Sequence, residues 1–155
     1  MPVEVIIPYN FTENDKKSID FVINHYLDSL DVQLTLFHGY TPVPEINSQN
    51  NPIMDKMNRA VSHLRNQLKE QEEMLEGVKQ NLIEKGFHHQ NIKCKFVPLV
   101  EDIASDLTLL IKNEHYDAVV FNKTPGNIIN YFTRSISGRV LKAFEYNKNF
   151  TAHIA

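Results

Sequence analysis

Apolar positions along this chain come in two patterns, short continuous runs and longer stripes, and the two alternate. Val3-Glu4-Val5-Ile6-Ile7 is a nearly unbroken run of β-branched residues that ends at Pro8. Such a run suits a strand covered on both faces. Beyond Thr12, the residues Ile19, Val22, Ile23, Tyr26, Leu27 and Leu30 recur at helical spacing and draw one apolar stripe. Thr12 offers an N-cap for that helix, with Asp15 three residues later in the position of a capping-box partner. Val32 to His38 reads as a second strand. Gly39 to Pro52, with Pro42, Pro44 and Pro52 among polar residues, reads as a loop.

The longest helical pattern spans about Ile53 to Lys85. Met57, Val61, Leu64, Leu68, Leu75, Val78 and Leu82 follow steps of four and three, interrupted at Gln71, and Gly86 supplies the stop. At about 1.5 Å per residue this helix runs roughly 45–50 Å, longer than a small sheet is wide, so part of it is expected to overhang. A coiled coil is the competing reading, weakened by Gln71 and Gly77. Ile92, Cys94 and Phe96 alternate with Lys93 and Lys95, a strand with one apolar face and the lysines of a sheet edge. A helical stripe through Ile103, Leu107, Leu110 and Ile111 follows, then the buried run Ala118-Val119-Val120-Phe121. After a loop from Asn122 to Asn127 comes a last helix carrying Ile128, Phe132, Ile136, Val140 and Phe144. Phe150 to Ala155 reads as a short final strand.

Five strands separated by helices require right-handed parallel crossovers, which place helices on both faces of the sheet. The fold class is therefore α/β, a Rossmann-like doubly wound five-stranded parallel sheet, with the first and fourth strands central and the third at an edge. No repeat or linker divides the chain, so residues 1–155 read as a single domain. In such a sheet, ligands bind beyond the strand C-termini where strand order reverses. That places Tyr9, Asn10, Phe11 and Thr12 opposite Asn122, Lys123 and Gly126, with His38 beside them.

Composition narrows the partners. The 155 residues are 42% hydrophobic and 23% charged, values of a globular protein, and the net charge of −3 gives no basic surface for nucleic acid. No apolar stretch approaches the length of a membrane span, and Met1-Pro2-Val3-Glu4 does not read as a signal peptide. Cys94 is the one cysteine, which rules out an internal disulfide or a cysteine-cluster metal site. The expectation is a cytoplasmic protein without membrane or nucleic-acid partners and without a bound metal. His88-His89 reads as a solvated loop, and Glu70, Glu72 and Glu73 as a solvated helix face. Glu101-Asp102 sits where acidic residues favour the start of a helix. Catalytic motifs for phosphate loops, dinucleotide folds and hydrolase elbows are absent.

The ordered set of motifs resembles the universal stress protein family over essentially the whole chain. Ile6-Ile7-Pro8-Tyr9-Asn10-Phe11-Thr12-Glu13 is similar to that family's opening strand and turn, Leu36-Phe37-His38 to its second-strand ending, Asp117 to Phe121 to its fourth strand, and Arg139-Val140-Leu141 to the start of its last helix. The resemblance implies the strand order 3-2-1-4-5, a homodimer, and a stress-linked cytoplasmic role. It also implies ATP or another adenine nucleotide as the candidate ligand.

Nucleotide-binding members carry Gly-x-x-Gly, nine residues, then Gly followed by Ser or Thr. Glycine lets backbone N–H groups approach phosphate, and the hydroxyl adds a donor. Here Asn122 stands at the first glycine position, Pro125-Gly126 surrounds the second, and Arg134-Ser135 falls where Gly-Ser is expected. Asn10 replaces the usual acidic residue after the first strand. The candidate nucleotide-binding residues are thus Tyr9, Asn10, Phe11, Thr12, His38, Asn122, Lys123, Gly126, Arg134 and Ser135, with no catalytic residue among them. Asn10 and Thr12 also read as ordinary cap and turn residues, and His38 as a satisfied turn histidine. Two functional readings follow. One is a non-catalytic binding or regulatory protein with weak or no ATP binding, dimerising through the last strand. The other is a nucleotide-dependent switch or slow ATPase in which Lys123, Arg134 and Ser135 contact phosphate.

Overall fold

Why the apolar runs become strands is visible in how their side chains divide. Ile6 points to one side of the sheet with Val119 and Phe121, while Val5, Ile7, Ala118 and Val120 point to the other, and all seven are buried. A run with no polar alternation needs cover on both faces, and this one has it. The computed structural model describes residues 2–29, 31–44, 52–122, 139–140, 143 and 149–155. In chain order the elements are β1 (Val3–Pro8), α1 (Asp15–Tyr26), β2 (Val32–Tyr40), α2 (Pro52–Lys85), β3 (Ile92–Pro98), α3 (Ile103–Glu114), β4 (Ala118–Phe121) and β5 (Thr151–Ile154). A short 3₁₀ turn, His89–Asn91, leads into β3.

The five strands form one sheet in the order β3-β2-β1-β4-β5, and every pair is parallel. The lysine-bearing β3 is an edge and β1, with Val5, Ile6 and Ile7 buried, is central, as the residue pattern predicts. Register runs from Val3 opposite Val32 to Pro8 opposite Phe37, and from Leu34 opposite Ile92 to Tyr40 opposite Pro98. Strand β2 runs two residues past the predicted end at His38. Gly39 and Tyr40 belong to the ladder with Val97 and Pro98 rather than to a loop. Gly39 lets Leu99 pack close: a Cβ on it would displace the Leu99 side chain.

One face carries α1 and α2 over a core that includes Val5, Leu34, Leu36, Leu75 and Leu82. The other carries α3, with Leu107 and Ile111 on Ile6, Phe37 and Val119. Helical Arg139, Val140 and Ala143 fall within the predicted last helix, and Val140 is buried in this second core. Ile128, Phe132, Ile136 and Phe144 lie outside the described residues.

Helix α2 is continuous for 34 residues, about 50 Å. Its C-terminal half packs on the sheet, with Leu75 and Leu82 fully buried, and the Cys94 thiol at the sheet edge lies 3.9 Å from the Leu75 carbonyl. Toward its N-terminus much of the stripe emerges, and Leu64, Met57 and Ile53 are 43%, 47% and 68% exposed, although Val61 between them is buried. Sheet packing prevails over the coiled-coil reading in the second half because β2 and β3 supply the apolar surface there. The helix closes with a Schellman motif. Gly86, at φ 125°, sends its N–H to Ile83, and Phe87 reaches back to Leu82. Asp102 caps α3 by accepting from the Ser105 N–H at 2.8 Å.

Candidate functional site

The turn between β1 and α1 is organised by one buried carboxylate. Asp15, 2% exposed, accepts at Oδ2 from the backbone N–H of Thr12 (2.7 Å), the hydroxyl of Thr12 (3.0 Å) and the backbone N–H of Asn10 (3.1 Å). At Oδ1 it accepts from the side-chain amide of Asn122 at 2.8 Å. The predicted capping arrangement is therefore half right. The Asp15 side chain does reach back to the Thr12 N–H, but Thr12 does not cap the helix. Its hydroxyl donates to the carboxylate, the helix starts at Asp15, and the N-cap residue Asn14 makes no side-chain cap bond.

Phe11, between the two donating N–H groups, sits in the left-handed region at φ 61°. A bulky residue is strained there, at a cost of about 1–2 kcal/mol. The hydrogen bonds on either side hold it, and so do its ring contacts, edge-on to Tyr9 at 5.3 Å and to His38 at 4.7 Å. A left-handed residue flanked by converging N–H groups makes a concavity for an anion. In this protein the anion is the chain's own Asp15.

His38 lines the next position across the sheet. It is 8% exposed, and its Nδ1 donates to the Tyr9 carbonyl at 2.8 Å. That bond leaves Nε2 as the acceptor of the neutral ring. The ring stacks on Phe96 (centroids 5.3 Å, 21° between planes), which in turn stacks on Tyr40 at 4.9 Å. Burial, then the charge of Asp15, raises the pKa of the Tyr9 phenol, so Tyr9 is a neutral hydroxyl at physiological pH.

The crevice at the strand C-termini thus brings together Tyr9, Asn10, Phe11, Thr12, His38 and Asn122. Thr12 and Asn10 are exposed at its rim and the others are partly or wholly buried. Lys123, Gly126, Arg134 and Ser135 lie outside the described residues. Two parts of the site escaped the sequence reading. Phe96 reads from the sequence as a strand residue alone, and its register opposite His38 puts it beside that ring once β2 and β3 pair. Asp15 was assigned to the helix start, and nothing local announces its bond to a residue 107 positions away. Among the described residues no group of three or more His, Cys, Asp or Glu side chains is arranged to hold a metal.

No family model and no curated protein sequence matches this chain. Solved structures do match it along its full length. Hypothetical protein MJ0577, the subject of a structure-based assignment of biochemical function, superposes with a TM-score of 0.69 at 16% identity, over 100% of this chain and 96% of that one. A universal stress protein in complex with cAMP gives a TM-score of 0.56 at 13% identity, over 99% and 96% of the two chains. The chain has the universal stress protein fold. A universal stress protein family protein from Arabidopsis thaliana with AMP bound matches equally well, with a TM-score of 0.56 at 13% identity, over 99% of this chain and 92% of that one. The strand order β3-β2-β1-β4-β5 is the one the sequence resemblance to universal stress proteins implies.

Proposed function

We propose that this chain, acting as a single domain over residues 1–155, is a non-catalytic binding or regulatory protein of the universal stress protein type. On this reading it binds ATP weakly or not at all and works as a cytoplasmic homodimer in stress response. AMP and cAMP occupy two proteins of the same fold, which makes an adenine nucleotide the ligand class to test.

The observation that carries the reading is the Asp15 hub. Phosphate binding at a turn needs free N–H donors and a positive local potential. At the β1–α1 turn the Asn10 and Thr12 N–H groups already serve a buried carboxylate, and the Asn122 amide serves it too. Donors for a polyphosphate would then have to come from the stretch holding Lys123, Gly126, Arg134 and Ser135, where the sequence has lost glycines and gained Pro125, which has no N–H. The aromatic wall of His38, Phe96 and Tyr40 remains able to receive a flat ring.

Calorimetric titration with ATP, ADP and AMP, each with and without magnesium, tests this. The expected ATP dissociation constant is about 1 mM or weaker, equivalent to about 4 kcal/mol, and Arg134→Ala leaves it unchanged. Micromolar ATP affinity that collapses in Arg134→Ala would replace this reading with the nucleotide-dependent switch or slow ATPase.

A further inference from the structure

Away from the crevice, the last two turns of α1 meet the edge strand β5 through a cluster of four rings. His25 and His153 lie with ring centroids 5.0 Å apart and planes 53° from one another. Both rings pack against Phe21 and Tyr26. Phe21 stacks on His25 at 5.2 Å with 13° between planes, and the Tyr26 hydroxyl lies 3.0 Å from Nε2 of His153. Phe21 and Tyr26 also touch the His153 ring at 4.9 and 6.0 Å. His25 is exposed and His153 half-buried, so the pair opens to solvent.

From this geometry we infer that His25 and His153 form a chelating site for a divalent transition-metal ion such as Zn²⁺. The spacing is the first argument. Two imidazoles on one tetrahedral zinc, with Zn–N of about 2.0–2.1 Å, place their ring centroids about 5.2 Å apart, within a few tenths of an ångström of the separation found here. Orientation is the second. A ligating histidine is ordinarily fixed by a hydrogen bond at its other ring nitrogen, and Tyr26 occupies Nε2 of His153, leaving Nδ1 for the ion. In that state Nε2–H donates to the Tyr26 oxygen, the tautomer a metal at Nδ1 requires.

No third His, Cys, Asp or Glu among the described residues joins the pair. Imidazole ligands suit zinc, copper and nickel and do not suit magnesium or calcium.

Titration of the full chain with ZnCl₂ in a non-chelating buffer, followed by calorimetry and by the imidazole ¹⁵N shifts, tests the site. One ion per chain is expected, with shifts confined to His25 and His153. His25→Ala and His153→Ala should each weaken binding by at least about tenfold, and Tyr26→Phe by about tenfold, as loss of an orienting partner does. The double variant His88→Ala/His89→Ala should bind as the unmodified chain does. His25 is on an exposed helix face, so its replacement keeps the test meaningful even if His153→Ala loosens the edge strand. No saturable binding at millimolar zinc would overturn the inference. So would binding that survives His25→Ala or that disappears with His88 and His89.

Discussion

Asn122, at the end of β4, donates its side-chain amide to Asp15 at the start of α1, 2.8 Å away. This single bond joins the two turns that face each other across the crevice. It also saturates a carboxylate that already accepts three other hydrogen bonds. A buried carboxylate removed from water is tolerated only when its lone pairs are so engaged.

The hub should therefore dominate local stability. Asp15→Ala leaves the Asn10 and Thr12 N–H groups and the Asn122 amide without their acceptor, and removes the hydrogen bonds that help hold Phe11 in the left-handed region. We expect a loss of about 2–3 kcal/mol. Asp15→Asn keeps the shape and one carbonyl oxygen, and the Asn122 amide can turn to present its own oxygen, so its cost should be about 1 kcal/mol. Urea denaturation of both variants checks the order. Equal and negligible shifts in midpoint would show that the hub does not stabilise the turn.

Helix α2 makes a graded prediction along its own length. Leu75→Ala removes a fully buried side chain from the sheet-packed half and should cost about 3 kcal/mol. Leu64→Ala, from the same stripe but 43% exposed, should fall within about 0.5 kcal/mol of the unmodified chain. Chemical denaturation separates the two. A large penalty at Leu64 would mean that the emergent half is covered in solution by something else.

Much of this architecture was legible because burial on both faces leaves unbroken apolar runs. Val5 to Ile7 and Ala118 to Phe121 announced themselves as central strands, and Lys93 and Lys95 announced an edge. The stripe from Met57 to Leu82 gave the length of α2, although not the point where sheet contact ends, since a leucine at helical spacing reads the same over a sheet or beyond it. The crevice followed from topology. Its chemistry did not. The spacing of Thr12 and Asp15 was read as a cap on the helix, but donor and acceptor roles depend on where Asn122 arrives, and that is set by sheet pairing alone. The aromatic wall was hidden for the same reason: His38, Phe96 and Tyr40 come from β2 and β3 and meet only through their register.

The opposite face of the sheet offers a test by pH. The Tyr116 hydroxyl donates to Thr35 Oγ1 at 3.0 Å, in a buried setting, and approaches Glu114 Oε2 at 3.2 Å. Burial, reinforced by the charge of Glu114, pushes the Tyr116 phenol up to about 12 from an ordinary value of 10.0. The folded protein holds this proton more tightly than the unfolded chain does. Its contribution to stability is therefore complete below about pH 10 and is lost as pH rises from 10 through 12. Tyr116→Phe removes the titrating group and leaves Thr35 without its partner. It should lower stability at pH 8 by about 1 kcal/mol. Between pH 10 and 12 the gap between the two proteins should narrow, because only the unmodified chain loses this contribution. Cys94, also pushed up to about 12 by burial and by Glu76, is present in both proteins and cancels in the difference. Urea midpoints measured across that range decide the matter. A gap that stays constant from pH 8 to pH 12 would show that the Tyr116 phenol ionises no less readily in the folded protein than in the unfolded chain.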